Sequence, residues 1–265
     1  MIGTLKHRLT RRIAARKLRL GPSIVQTDFF GCTMLVRPKE DVGRNMALGE
    51  FETDDLHHFI GSLRDGDVVF DIGANVGAYC VPIGKSFPNI QVYAFEPIAL
   101  NAALIQVSLL VNQLRSVHIV RKCVSNESGM VEFSLAEDSA YSSMVDTRRK
   151  SEVEKFQCES TSLNDFCGKG DSAFPDVMKV DVEGAELKVL QGASSLFDGG
   201  NTRPRLVLME LYSQNLSVFD ASIDDVTSLM ERWGYRSYVL IDRIRVPFTA
   251  SHHNVHYNVF FEATS

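Results

Sequence analysis

The stretch VVFDIGANVG, residues 68–77, decides the fold. Val68, Val69, Phe70 and Ile72 make an apolar run of strand length, which Asp71 interrupts with a charge close to its end. Gly73 and Gly77 then allow a tight turn that brings backbone close to a ligand. Working outward, this strand, read as 67–72, begins a rhythm of helix 77–87, strand 90–95, helix 98–112 and strand 117–124. The rhythm resumes with strand 176–181, helix 184–193, strand 205–211, helix 220–233, and strands 235–241 and 255–262. Alternation of this kind implies an α/β fold with a mostly parallel sheet and right-handed crossovers.

Two regions fall outside the rhythm. Residues 125–175 read as an insertion, an antiparallel extension bordering the ligand cleft, with MVEFSL (130–135) and 153–161 extended and the polar AYSSMVDTRRKSE between them a loop. Residues 21–66 read as an annex ahead of the main domain, 67–265. In the annex, 24–37 is a hairpin turning near Gly31, and 50–63 is a helix with Thr53 as N-cap and Asp54 and Asp55 in its first turn.

Composition sets the class. An apolar fraction of 45% with 23% charged residues is that of a soluble globular protein. The longest apolar runs, 104–111 and 206–211, fall far short of the ~20 residues a membrane span needs, and no signal peptide is visible, so a cytoplasmic protein is expected. Five cysteines, an odd number without a C-x-x-C pair, fit a reducing compartment. Residues 1–20 hold seven basic side chains and no acid, so the overall charge of −5 leaves a body of about −12 (−5 minus 7). That acidic body argues against nucleic acid as a partner. The basic leader, with Leu5, Leu9, Ile13, Leu18 and Leu20 as a partial apolar face, has two readings: peripheral contact with anionic lipid or an acidic partner, or a solvated helix.

The ligand follows from the turn and from Glu96. In an open α/β sheet the cleft lies at the carboxyl ends of the strands, where their order reverses. Glu96 comes nineteen residues after Gly77 and ends the second strand, near the offset at which an acid accepts both ribose hydroxyls. A dinucleotide needs G-x-G-x-x-G for its pyrophosphate, whereas this chain has D-x-G-x-N-x-G. The acid repels a diphosphate and suits a nucleoside bearing an amine or a sulfonium, as S-adenosylmethionine does. The competing structural reading is a glycine turn that merely joins strand to helix.

At this point DIGANVG, AFEPIALNAALIQVSLLVN, CVSNESGMVEF and above all MKVDVEGAELKVLQGA carry a resemblance. Over roughly residues 67–212 the chain resembles the FkbM family of S-adenosylmethionine-dependent methyltransferases. The resemblance implies a Rossmann-like class I methyltransferase fold with a seven-stranded sheet and helices on both faces. It implies methyl transfer to a hydroxyl of a sugar, glycolipid or polyketide-type natural product. It also implies that Asp71, Gly73, Asn75, Gly77, Glu96 and the adjoining Pro97 contact the cofactor, with Ser125 or its neighbours near the adenine.

MKVDVEGAELKVL places Asp181 at a strand end near the transferable methyl group, Glu183 and Gly184 in a turn, and Glu186 in a first helical turn, where an acid is simply stabilising. An alcohol must lose its proton to a general base or be acidified by a bound cation. Asp181, Glu183 and Glu210, at the next strand end, are the catalytic candidates, and Asp181 with Glu210 offer oxygen ligands to Mg²⁺. His57, His58, His252 and His256, the last two alternating with Asn254 and Asn258 along a strand, are further candidate bases, against the competing reading of satisfied surface or core histidines. Ser142, Ser143, Arg148 and Arg149 of the inserted loop are candidates for substrate contact. The competing functions are a nicotinamide-dependent oxidoreductase and a non-catalytic nucleoside-binding module.

Overall fold

The computed structural model describes residues 2–147, 149–168, 174–198 and 203–264, with side chains from Arg11 onward. Helix α1 (Ile2–Leu20) leads to a hairpin of β1 (Val25–Phe29) and β2 (Cys32–Val36). Phe30 and Gly31 connect these strands with φ of 51° and 69°, the left-handed pair that matches strand twist in a two-residue hairpin. Helices α2 (Asp41–Ala47) and α3 (Thr53–Gly61) complete the annex. Then β3 (Val68–Ile72), α4 (Cys80–Ser86), β4 (Gln91–Phe95), α5 (Ala99–Val111) and β5 (Val117–Val120) alternate as the apolar periodicity predicts.

The inserted region forms its own three-stranded sheet from β6 (Cys123–Val124), β7 (Gly129–Ala136) and β8 (Glu152–Thr161), in the order β6-β8-β7. After α6 (Leu163–Gly168) the main sheet resumes with β9 (Val177–Val180), α7 (Glu186–Gln191), α8 (Ser194–Phe197) and β10 (Leu206–Glu210). Helices α9 (Ser213–Val218) and α10 (Ile223–Arg232) follow, then β11 (Tyr235–Ile241), β12 (Ile244–Pro247) and β13 (Asn258–Ala263).

The main sheet runs β12-β11-β13-β10-β9-β3-β4-β5. From β10 to β5 the neighbours are parallel, while β13 is antiparallel to both β10 and β11. Without β12 this is the seven-stranded class I methyltransferase sheet. The eighth strand, β12, corrects the expected count. It folds back on β11 through Asp242 and Arg243, both left-handed, and its four residues, IRVP, are too few and too exposed to register as a buried strand.

Successive residues of β3 face opposite layers. Val69 joins a core with Phe59, Ile83 and Ile105, and Phe70 joins the other with Phe95, Leu190 and Met230. The register sets Asp71 beside Lys179 and Ile72 beside Phe95 and Val180, so β3, β4 and β9 end level with one another. Connections leave β3 towards β5 on one side and return to β9 on the other, which opens the cleft at this switch point.

Other expectations are corrected. The residue before α3 is Glu52, left-handed at φ 39°, so Thr53 is already helical and its hydroxyl donates to Gly49 O instead of capping. The helix expected over 220–233 is α10, which starts later, at Ile223. Asp220 is left-handed at φ 54°, and a capping box of Ser222 and Asp225 starts α10. Among the leader's described side chains, Leu18 is half-covered while Ile13 and Leu20 are exposed, so Leu18 lies off the side that those two share.

Candidate active site: an acid-lined cleft at the strand ends

Each position of the D-x-G-x-N-x-G turn has a structural reason. Gly73, Asn75 and Gly77 have φ of 83°, 49° and 90°, which glycine adopts freely and asparagine tolerates. A Cβ on Gly73 would fall 1.8 Å from Asp181 O. The Gly73 and Ala74 N–H groups both donate to Phe95 O at 3.0 Å, pinning the turn to β4. Gly77 lies beneath the turn, close to Val81 and Ile105, and does not reach the cleft wall.

Asp71 is fully buried, and its Oδ2 accepts from the Cys80 N–H at 3.0 Å. Its Oδ1 is buried with no partner, an acceptor left open in the cleft. Burial raises its pKa, against the pull of Lys179. Glu96 is fixed by backbone: Oε2 accepts from Asn75 N–H at 2.9 Å, and Oε1 accepts from Ile98 N–H at 2.9 Å and from Asn101 Nδ2 at 3.2 Å. Burial still pushes this carboxyl up to about 8. Pro97, Ile98, Lys122, Cys123 and Val124 continue the wall. Ser125 stays outside it, its hydroxyl donating to Asn126 Oδ1 at 3.0 Å.

At the other end of the cleft, carboxylate oxygens of Asp181, Glu183 and Glu210 come within 4.8 Å of one another. The VDVEGAE sequence builds this end. Glu183 is left-handed at φ 55°, and a Cβ on Gly184 would fall 2.4 Å from Asn215 O. Glu186 turns inward, Oε1 accepting from the N–H groups of Val182 and Gly184 at 3.2 and 3.1 Å, so it fixes the turn as the stabilising reading expected.

Two cations partly neutralise the acids. Lys179 Nζ donates to Asp181 Oδ2 at 2.8 Å and lies 5.0 Å from the Tyr79 ring centroid. Although burial opposes its charge, Asp181, Asp71 and Glu52 hold this ammonium above its usual range. Arg149 donates to Glu183 Oε2 at 2.9 Å and lies over Tyr141 and Tyr212, 4.4 and 4.8 Å from their centroids. Asn215 also donates to Glu183, at 2.5 Å. Burial and neighbouring Asp181 push Glu183 up to about 8. Glu210 is raised well above its ordinary value by burial and by Asp181, and its Oε2 is buried without a partner.

The inserted loop touches this end: Ser142 lines the cleft, and Ser143 Oγ donates to Val182 O at 3.1 Å or Glu183 O at 3.2 Å. Arg148 lies outside the described residues. The histidine expectation is corrected, since none lines the cleft among the described residues. The last strand starts only at Asn258, so His252, Asn254 and His256 precede it, His252 ending a short 3-10 turn. His58 shares a hydrogen bond with Tyr238 OH at 3.0 Å, and His57 one with Thr53 O at 2.7 Å.

Three cleft residues escape motif reading: Glu52, Tyr79 and Lys179. Tyr79 OH donates to Glu52 Oε2 at 2.8 Å, and burial pushes Glu52 up to about 7. Lys179 had a signal, a lone cation inside the apolar strand VMKV, which requires a buried counter-acid. Glu52 had none, because it is placed by the tertiary contact of the annex.

The FkbM methyltransferase domain matches residues 71–237. The chain is 24% identical over 208 residues to the 31-O-demethyl-FK506 methyltransferase FkbM of Streptomyces tacrolimicus, covering 68% of this chain and 76% of the relative. It is 27% identical over 215 residues to the hexuronic acid methyltransferase AglP of Haloferax volcanii, covering 79% of this chain and 80% of that one. With these matches the oxidoreductase reading falls away, and the chain belongs to the FkbM methyltransferase domain family.

Proposed function

We propose that the protein is an S-adenosylmethionine-dependent O-methyltransferase acting on a hydroxyl of a sugar, glycolipid or polyketide-type natural product. One observation carries this reading: two buried carboxylates, Asp71 and Glu96, stand at adjoining strand ends of one cleft whose other end is lined by further acids. Glu96 would accept the ribose hydroxyls of the donor. The acids near Asp71 favour a ligand whose amine and sulfonium are cationic over a diphosphate. S-adenosylmethionine supplies the electrophilic methyl group when bound. Both relatives methylate, and their printed names point to oxygen-rich acceptors.

Transfer needs the acceptor oxygen held in line with the carbon–sulfur bond. As oxygen bonds to the methyl carbon, the bonding pair leaves with sulfur and the hydroxyl proton passes to a carboxylate. Asp181 and Glu183 already hold Lys179 and Arg149, which leaves Glu210 Oε2 as the open acceptor among the three catalytic candidates. Asp181, Glu183 and Arg149 then orient the acceptor.

The 4.8 Å grouping of Asp181, Glu183 and Glu210 favours a second reading in which Mg²⁺ binds there, with Asp181 and Glu210 as ligands. It fits less well, because an ammonium and a guanidinium already engage two of the three acids. Labelled methyl transfer to a panel of hydroxylated acceptors tests the function. Activity that survives EDTA supports the metal-free route, whereas loss restored by Mg²⁺ supports the metal. Absence of transfer to every acceptor, with intact donor binding, counts against catalysis.

A further inference from the structure

Helix α1 has two unlike sides. Between Arg11 and Leu20 the partly covered residues are Ala14, Ala15 and Leu18, spaced one turn apart. Arg11 ties the helix to the body by donating to Glu50 Oε2 at 2.6 Å. Two other large apolar side chains lie elsewhere: Ile13 is 49% exposed and Leu20 is 76% exposed. Seven residues apart, they share one side of the helix, and in the sequence Leu9 and Leu5 precede Ile13 at steps of four. Arg12, Arg16, Lys17 and Arg19 are exposed around them. A helix folded only onto its own domain buries its large apolar residues and turns small ones outward. Here only Leu18 of the large apolar residues turns to the body, while Ile13 and Leu20 face away from it.

We propose that α1 is a docking helix for an anionic lipid surface. Ile13 and Leu20 enter the interface, and the arginines and lysine beside them meet the headgroups. Charge complementarity selects this occupant: residues 1–20 hold seven cations and no acid on a chain of net charge −5. An acidic polymer would satisfy the cations but leave the exposed Ile13 and Leu20 unused. The body, at about −12 (−5 minus 7), would repel such a polymer wherever it extended beyond the helix.

The test is flotation of the full chain with phosphatidylcholine vesicles containing about one third phosphatidylglycerol, against phosphatidylcholine alone. The chain is expected to bind the anionic vesicles about tenfold better, and less as salt rises. Ile13→Asp with Leu20→Asp keeps every cation and should lower binding about tenfold, with unchanged melting temperature and unchanged S-adenosylhomocysteine affinity. No recruitment of the wild-type chain overturns the proposal, and so does equal recruitment of the double variant. Heparin binding without vesicle binding overturns it in favour of a polyanionic partner. None of these outcomes touches the methyltransferase reading, which the cleft measurements decide separately.

Discussion

The two ends of the cleft are held by different forces. The end around Asp71 and Glu96 is a backbone construction: left-handed residues set the turn, N–H groups hold both acids, and the pieces lie close in sequence. The end around Glu183 and Glu210 is a side-chain construction, drawn from the annex, the inserted loop, the turn after β9 and the tip of β10. Its members face one another as charges and hydrogen-bonding groups. The first end should therefore fail when an atom is added, and the second when a charge is removed.

The largest effect is expected from Gly73→Ala. With φ at 83° and Asp181 O only 1.8 Å from the new Cβ, the turn cannot keep its shape. S-adenosylhomocysteine affinity should fall about 100-fold or more, with a lower melting temperature. Calorimetry and thermal melts check both.

Lys179→Met comes next and probes the joint between the ends, since Lys179 lies beside Asp71 in register and bonds Asp181. Breaking a buried pair while leaving its acids should cost about 3 kcal/mol in urea unfolding. A cost below about 0.5 kcal/mol would show that the two ends are electrostatically independent.

The pH dependence sharpens the contrast with a smaller effect. Glu96 holds its proton to about pH 8 in the folded protein, against an ordinary value of 4.5, so the folded state binds more protons between those values. Its contribution to stability is therefore present below about 4.5 and lost as pH rises towards 8. Ribose hydroxyls donate to the charged form, so S-adenosylhomocysteine affinity should rise about tenfold from pH 7 to pH 9, and Glu96→Gln should flatten the profile. Smallest is Arg149→Gln, which should lower kcat/KM for the acceptor about tenfold and leave donor affinity unchanged.

Legibility followed the same division. The Asp71 turn, Glu96, the parallel rhythm and the VDVEGAE turn were readable because contiguous residues set them through backbone geometry. Strand β12 was not, because four residues at an exposed sheet edge are too short a run to register. The expectation of Ser125 or its neighbours narrows to the neighbours, since Lys122, Cys123 and Val124 line the cleft and Ser125 does not. Glu52 was invisible because nothing local marks it. Its place depends on its own left-handed backbone ahead of α3 and on Tyr79 from the main domain. The histidines misled because alternation was read onto residues 252–256, which precede the strand.

The central claim is that this cleft holds an S-adenosyl donor on Asp71 and Glu96. Titration calorimetry of S-adenosylhomocysteine into the folded wild-type chain and into Asp71→Ala tests it most directly. The account predicts saturable one-to-one binding by the wild type and loss of measurable heat in the variant. No heat from folded wild-type protein, or wild-type affinity in the variant, would contradict it.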